Sequence, residues 1–119
     1  MAKVIKRKDG SASYYNEEEV LHREDGPAYI DKTSGYEMWY INGVIHRDNG
    51  PAIIWYDGER TWYKDGLRHR EDGPAVEADG ESDGWFLNDC YFSTKESWFE
   101  ALTEEQKAKA LYSEYFMRC

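Results

Sequence analysis

Three histidines, His22, His46 and His69, stand at one recurring position, each followed by arginine and then by acidic residues. Imidazoles beside carboxylates are the residue set of a proton-transfer pair, and three imidazoles together are the start of a metal site. Their spacing argues against both. Successive copies of a β-repeat lie two or three strands apart, which places the histidines roughly 10–14 Å from one another at about 4.8 Å per strand. Zinc needs its ligand nitrogens at about 2 Å. The last copy also carries Phe92 where the others have His46 and His69. A position that accepts either ring reads as packing. The Arg-acid neighbours, such as Arg23 with Glu24 and Asp25, read as turn and ladder chemistry. Asp25, Asn49 and Asp72 each precede glycine and are expected to bond their own backbone in the turn. Cys90 and Cys119 show no C-x-x-C spacing and no nearby histidine, so reduced thiols are expected and zinc is not. No G-x-S-x-G, P-loop or G-x-G-x-x-G string is present, and no hydroxyl has an evident base. The expectation is a protein that is not an enzyme, with no catalytic, cofactor-binding or metal-ligating residues.

The elements that would position these residues come in repeats. H-R-E-D-G-P-A runs from His22 to Ala28 and again from His69 to Ala75, and H-R-D-N-G-P-A runs from His46 to Ala52. A second string keeps step: Trp39-Tyr40-Ile41-Asn42-Gly43, Trp62-Tyr63-Lys64-Asp65-Gly66 and Trp85-Phe86-Leu87-Asn88-Asp89. A worn copy precedes them, with Gly10 four residues before Tyr14 as Gly35 is before Trp39. Self-similarity at this period marks a repeat architecture. The copies fall at 22–45, 46–68 and 69–92, with the degenerate one at 3–21, all inside a repeat region spanning 1–92.

Within each copy Asn42-Gly43 and Asp65-Gly66 tolerate positive φ at two positions, as a type I′ hairpin needs, and Asp57-Gly58 carries the same signal. Pro27, Pro51 and Pro74 cannot donate to a ladder, so each should open a strand. In the second copy the expected strands are Ala52–Tyr56, Arg60–Lys64 and Leu67–Arg70. Tyr29, Ile53 and Val76 are equivalent and apolar; Ala28, Ala52 and Ala75 are always small, as though another element lies close. The Trp series shares one side of its strands, and Tyr40, Tyr63 and Phe86 the other.

Near Ser93 the period changes. Ser93-Thr94-Lys95-Glu96 fits a capping box with Ser93 at the N-cap, and Thr103-Glu104-Glu105-Gln106 fits a second. Trp98, Phe99 and Leu102, then Ala108, Leu111, Tyr112, Tyr115 and Phe116, recur at helical spacing. Two short helices over 93–119 are predicted, meeting near Leu102 and Thr103 and covering the open end of the stack. The fold class is therefore mainly β: an antiparallel hairpin or meander sheet of about three and a half repeats, closed by a C-terminal two-helix cap in the same domain.

The chain has 119 residues, room for one small domain, and its 19 aromatic residues are expected to supply the bulk of the core. Charge is uneven. The first eight residues are formally +4; residues 9–92 hold 19 acids and 7 bases, a net of −12; the tail from Ser93 is −1. A body this negative repels phosphate, which disfavours direct nucleic-acid binding and docking on anionic membranes. It favours a partner protein with a basic surface. No apolar leader or membrane-length apolar run is seen, and a cytoplasmic setting is expected.

From Tyr14 to Phe92 the H-R-E-D-G-P-A and W-Y-x-N-G strings resemble a MORN-like repeat variant, a β-hairpin repeat. Small tailed-bacteriophage proteins that look like it often end in a segment similar to Tyr91-Phe92-Ser93-Thr94-Lys95-Glu96-Ser97-Trp98. The common MORN pattern has Y-x-G-x-W units and is sometimes found at membranes. H-R-x-x-G-P-A replaces that signature here, so membrane binding is not carried over. The resemblance implies no catalytic residues. It implies a phage setting, in which the chain is an acidic inhibitor or adaptor for a host protein in the bacterial cytoplasm: a defence effector, a nuclease or another nucleic-acid-binding protein. Candidate contacts are the acids Glu24, Asp25, Asp48, Glu71 and Asp72, the rings Tyr40 and Tyr63, and the cap residues Trp98, Tyr112 and Tyr115. Two alternatives stand beside this. One is a virion or structural component that assembles through its edge strand, a homo-oligomer. The other is a small nucleotide-ligand sponge built on Arg23, Arg47 and Arg70 with Tyr40 and Tyr63.

Overall fold

The computed structural model describes residues 3–78 and 83–113. The copies at 22–45 and 46–68 each give two strands to one meandering sheet and then a short hairpin to a second column; the last copy gives one strand and a hairpin, and the worn copy gives two strands. The sheet contains β1 (Lys3–Lys6), β2 (Ala12–Tyr15), β3 (Tyr29–Asp31), β4 (Tyr36–Met38), β7 (Ile53–Ile54), β8 (Arg60–Thr61) and β11 (Val76–Glu77), antiparallel and in that spatial order. The hairpins pair β5 (Tyr40–Ile41) with β6 (Val44–Ile45), β9 (Tyr63–Lys64) with β10 (Leu67–Arg68), and β12 (Trp85–Leu87) with β13 (Cys90–Phe92). The molecule is elongated, 45 × 27 × 22 Å.

The joint between sheet and hairpin is the first residue of the W-Y string. Trp39 N–H donates to the Ala52 carbonyl in the sheet, while the Trp39 carbonyl accepts from His46 N–H in the hairpin column. Trp62 repeats this with Ala75 and His69, and Tyr14 with Ala28 and His22. The worn copy thus keeps the joint, with a single bridge between Tyr15 and Leu21 in place of the paired hairpin strands. This joint corrects the expected strand Arg60–Lys64, which breaks at Trp62 into β8 and β9 because its two hydrogen-bonding groups serve different columns. The other two expected strands shorten to Ile53–Ile54 and Leu67–Arg68. Strands open two residues after each proline. The alanine between is fully buried in all three cases.

Three hairpin turns have the paired positive φ angles of type I′: +48° and +80° at Asn42-Gly43, +51° and +82° at Asp65-Gly66, +49° and +68° at Asn88-Asp89. Asp89 does without glycine because its carboxylate accepts from the Arg68 backbone N–H and from Arg68 Nε at 2.7 Å. Asp57-Gly58 is different. Only Gly58 has positive φ, and Trp55 N–H reaches the Glu59 carbonyl, so the loop is a three-residue turn with glycine in the left-handed position.

The core is also different from the one expected. Along the sheet the buried residues are mostly small: Ala12, Ala28, Ala52, Ile53 and Ala75. Aromatic bulk is fully buried chiefly at the C-terminal end, where Trp85, Trp98, Leu102 and Ala110 cluster with Leu87, Phe92 and Phe99 against them. There α1 (Lys95–Glu100) and α2 (Glu104–Leu111) close the stack. The N-cap of α1 is Thr94, whose hydroxyl accepts from Ser97 N–H at 3.0 Å; the box expected from Ser93 moves by one residue. The Thr103–Gln106 box of α2 forms with both halves present. The inward face of α2 is Gln106, Lys107 and Ala110, whereas Leu111 and Tyr112 point to solvent. Tyr115 and Phe116, expected on the apolar face, lie outside the described residues.

Candidate interaction face

The H-R-x-x-G-P-A string works as one assembly. Each histidine accepts, through Nδ1, the backbone N–H of the turn residue in the next hairpin: His22 from Asn42 at 2.8 Å, His46 from Asp65 at 2.9 Å and His69 from Asn88 at 2.9 Å. The proton therefore sits on Nε2, which faces an acid: Glu24 at 3.7 Å, Asp48 at 2.8 Å and Glu71 at 2.7 Å. Pairs with exposed carboxylates contribute about 0–1 kcal/mol. The backbone hydrogen bond, at an exposed turn, is worth about 0.5–1.5 kcal/mol net. The histidine is there for the backbone contact, and the acid is secondary.

Each arginine lies flat on the ring of the preceding copy: Arg23 on Tyr14 at 4.0 Å, Arg47 on Trp39 and Arg70 on Trp62 at 3.7 Å. Its Nη1 donates to the proline carbonyl of its own string, Pro27, Pro51 or Pro74. The other side of the guanidinium presses on the glycine. A Cβ at Gly26, Gly50 or Gly73 would come within 2.7–2.8 Å of the Cζ carbon, so a larger residue there would displace the guanidinium from this pose. At the last ring, Trp85, the cap supplies the cover. Trp98 packs on it at 4.7 Å between centroids and donates Nε1 to the Arg70 carbonyl at 3.0 Å.

This assembly corrects three expectations. Asp25 and Asp72 accept from the arginine Nε of their own copies, at 3.0 and 2.7 Å, not from their own turn backbone. Trp98 is fully buried in the core and offers no surface to a partner. Tyr40 and Tyr63 are half-buried and stand apart from the grooves described next, so Arg23, Arg47 and Arg70 stack on Tyr14 and the Trp series, not on these tyrosines. Tyr112 is exposed on the cap. Tyr115 lies outside the described residues.

The five acids singled out in the sequence come together. Two adjoining grooves run along the H-R strings and share Arg47, Asp48 and Asn49. The first, about 1060 Å³, is lined by Glu24, Asp25, Asp48 and Asp65 over a floor that includes Trp39, Ile41 and Val44. The second, about 680 Å³, is lined by Asp48, Glu71 and Asp72 together with Arg47, Lys64 and Lys109. Carboxylates are outermost. The side chains of Glu24, Asp25 and Asp65 are 80% or more exposed, against 25% for Arg23 and 10% for Arg70. Asp65, Lys64 and Lys109 were not among the candidates, because nothing in the repeat strings marks the groove walls. Among the described residues no group of three or more His, Cys, Asp or Glu side chains is placed to hold a metal ion. No described helix is long and apolar enough to cross a membrane.

Away from the grooves, hydrogen bonds from the Thr33 hydroxyl and Ser11 N–H hold the Asp9 carboxyl down at about 2. Ser34 N–H lowers Asp31, and Arg68 lowers Asp89. These are turn contacts. No protein-family model, curated protein or solved structure matches the chain.

Proposed function

We propose that the chain is a non-enzymatic interaction module whose acidic groove face binds a basic, nucleic-acid-binding surface of another protein. The observation that carries this is the placement of Glu24, Asp25, Asp48, Glu71 and Asp72 along two contiguous grooves, carboxylates outward and arginines stacked beneath. A row of acids repeated at the period of the fold presents negative charge at regular intervals, as a phosphate backbone does. It attracts the cationic cleft that would otherwise hold nucleic acid. The first groove adds an apolar floor, on which the aliphatic stems of lysine and arginine can lie. In the phage setting implied by the MORN-like resemblance, the partner is a host protein of the bacterial cytoplasm, and binding inhibits or redirects it.

The test is capture from a nuclease-treated bacterial lysate with the wild-type chain and with Glu24→Gln/Asp48→Asn/Asp65→Asn. These changes remove three charges from the first groove and leave the arginine-bound Asp25 and Asp72 in place. Asparagine at position 65 also matches the residue of the neighbouring turns, Asn42 and Asn88. One stoichiometric partner, its retention cut at least about tenfold by the triple change and by raised salt, is the expected result. Equal retention by the variant refutes the electrostatic reading.

A further inference from the structure

Two of the three H-R strings carry a carboxylate on their arginine, and the middle one does not. Asp25 sits on Arg23 Nε and Asp72 on Arg70 Nε, but the equivalent residue after Arg47 is Asn49. Among the described residues Arg47 makes no salt bridge; Glu37 acts on it only at longer range. Its pose is nonetheless that of Arg70. Both rest 3.7 Å from a tryptophan ring, both donate Nη1 to a proline carbonyl at 3.1 Å, and both lie 3.0 Å at Nε from the Cβ position of the following glycine. The Nε edge of Arg47 is therefore held ready where its neighbours each hold a carboxylate oxygen. Burial pushes the guanidinium down from its ordinary value, the mark of a cation partly desolvated without full compensation.

The surroundings are cationic in the same sense. Arg47, Lys64 and Lys109 line the second groove. Lys64 follows Tyr63, whose carbonyl accepts the Arg47 backbone N–H, and Lys109 lies one helical turn before Ser113, whose hydroxyl donates to the Asp72 carbonyl. Each of the three acids of this groove already has a hydrogen-bond partner: Asp48 in His46, Glu71 in His69 and Asp72 in Arg70. Among the described residues Arg47 and Lys64 make no salt bridge, and Lys109 makes only an exposed one, with Glu105 at 3.6 Å.

We propose that the second groove is an oxyanion site, in which the Nε edge of Arg47, flanked by Lys64 and Lys109, takes the carboxylate or phosphate group of a small molecule. The group fills in trans the place that Asp25 and Asp72 fill in cis. Arginine suits it because its planar fork meets two oxygens at once, and a groove of about 680 Å³ has the size of a small-ligand site. This groove also carries Asp48, Glu71 and Asp72 of the contact face proposed above, but the anion titration reads Arg47 with no partner present, so either proposal can fail without the other.

The test is an NMR titration of the arginine Nε–H signals with succinate and, separately, inorganic phosphate, against chloride at matched ionic strength. The Arg47 signal should move saturably with at least one anion, and the tighter of the two identifies the ligand class. Asn49→Asp restores the cis carboxylate without touching the arginine, and should weaken binding at least about tenfold. Lys64→Gln, at an exposed position, should weaken it several-fold. An Arg47 signal that stays still with both anions overturns the proposal, as does equal binding by Asn49→Asp. If Asn49→Asp does not fold, undiminished binding by Lys64→Gln overturns it instead.

Discussion

His69 is the least exposed of the three histidines, and its Nδ1 holds the N–H of Asn88 across 19 residues of sequence. Phenylalanine occupies the equivalent place at Phe92, so substitution by size alone is tolerated by the fold. His69→Phe should nevertheless destabilise the chain by about 0.5–1.5 kcal/mol, the net worth of the lost backbone hydrogen bond, read from urea unfolding midpoints. An unchanged midpoint would show that the ring matters and the nitrogen does not. The carboxylates make a separate prediction. Asp9 titrates at about 2 in the folded chain against an ordinary 3.8, so its contribution is present above that ordinary value and is lost as pH falls through 2. Asp9→Asn should flatten that acid limb of the stability profile. The sequence made the histidines legible as packing residues, because Phe92 replaces one. It could not reveal the partner of each Nδ1, which lies one full repeat away. It misled on Asp25 and Asp72, where local turn chemistry is the common use of Asp before Gly and an arginine two residues back competes successfully for the carboxylate.

Elements were legible wherever a local rule sets them. The Asn42-Gly43 and Asp65-Gly66 turns, the repeat period and the Thr103–Gln106 box all follow from residues within a few positions of one another. The sheet-to-hairpin joint does not. Trp62 sits inside an uninterrupted β-like run, and only the positions of Ala75 and His69 decide that its two backbone groups part ways. The same holds for the core. Arginine stacking lets Trp39 and Trp62 remain half-buried, while the closely spaced sheet needs alanine at its centre. The cap is the exception that buries a whole indole. Trp98→Ala should cost about 3–5 kcal/mol and reduce the helical circular dichroism, since its fully buried indole is the centre of the cluster that joins α1 and α2 to β12. A loss under about 1 kcal/mol would mean that the helices are held by other contacts.

At the scale of the whole molecule, the repeat turns a local pattern into a surface. The H-R string fixes arginine between ring and glycine, which leaves the acids that follow it facing outward; stacking then lines these acids along adjoining grooves. The composition foretold an acidic body but not that these particular acids share two adjoining grooves, which depends on how the copies stack. On the function proposed, this face competes with nucleic acid for a basic surface. The most direct measurement is binding of the captured partner to this chain with increasing duplex DNA at fixed salt. DNA should displace the chain competitively, and the Glu24→Gln/Asp48→Asn/Asp65→Asn variant should be displaced at lower DNA concentration. A ternary complex, in which the partner holds DNA and this chain together with undiminished affinity, would contradict the account.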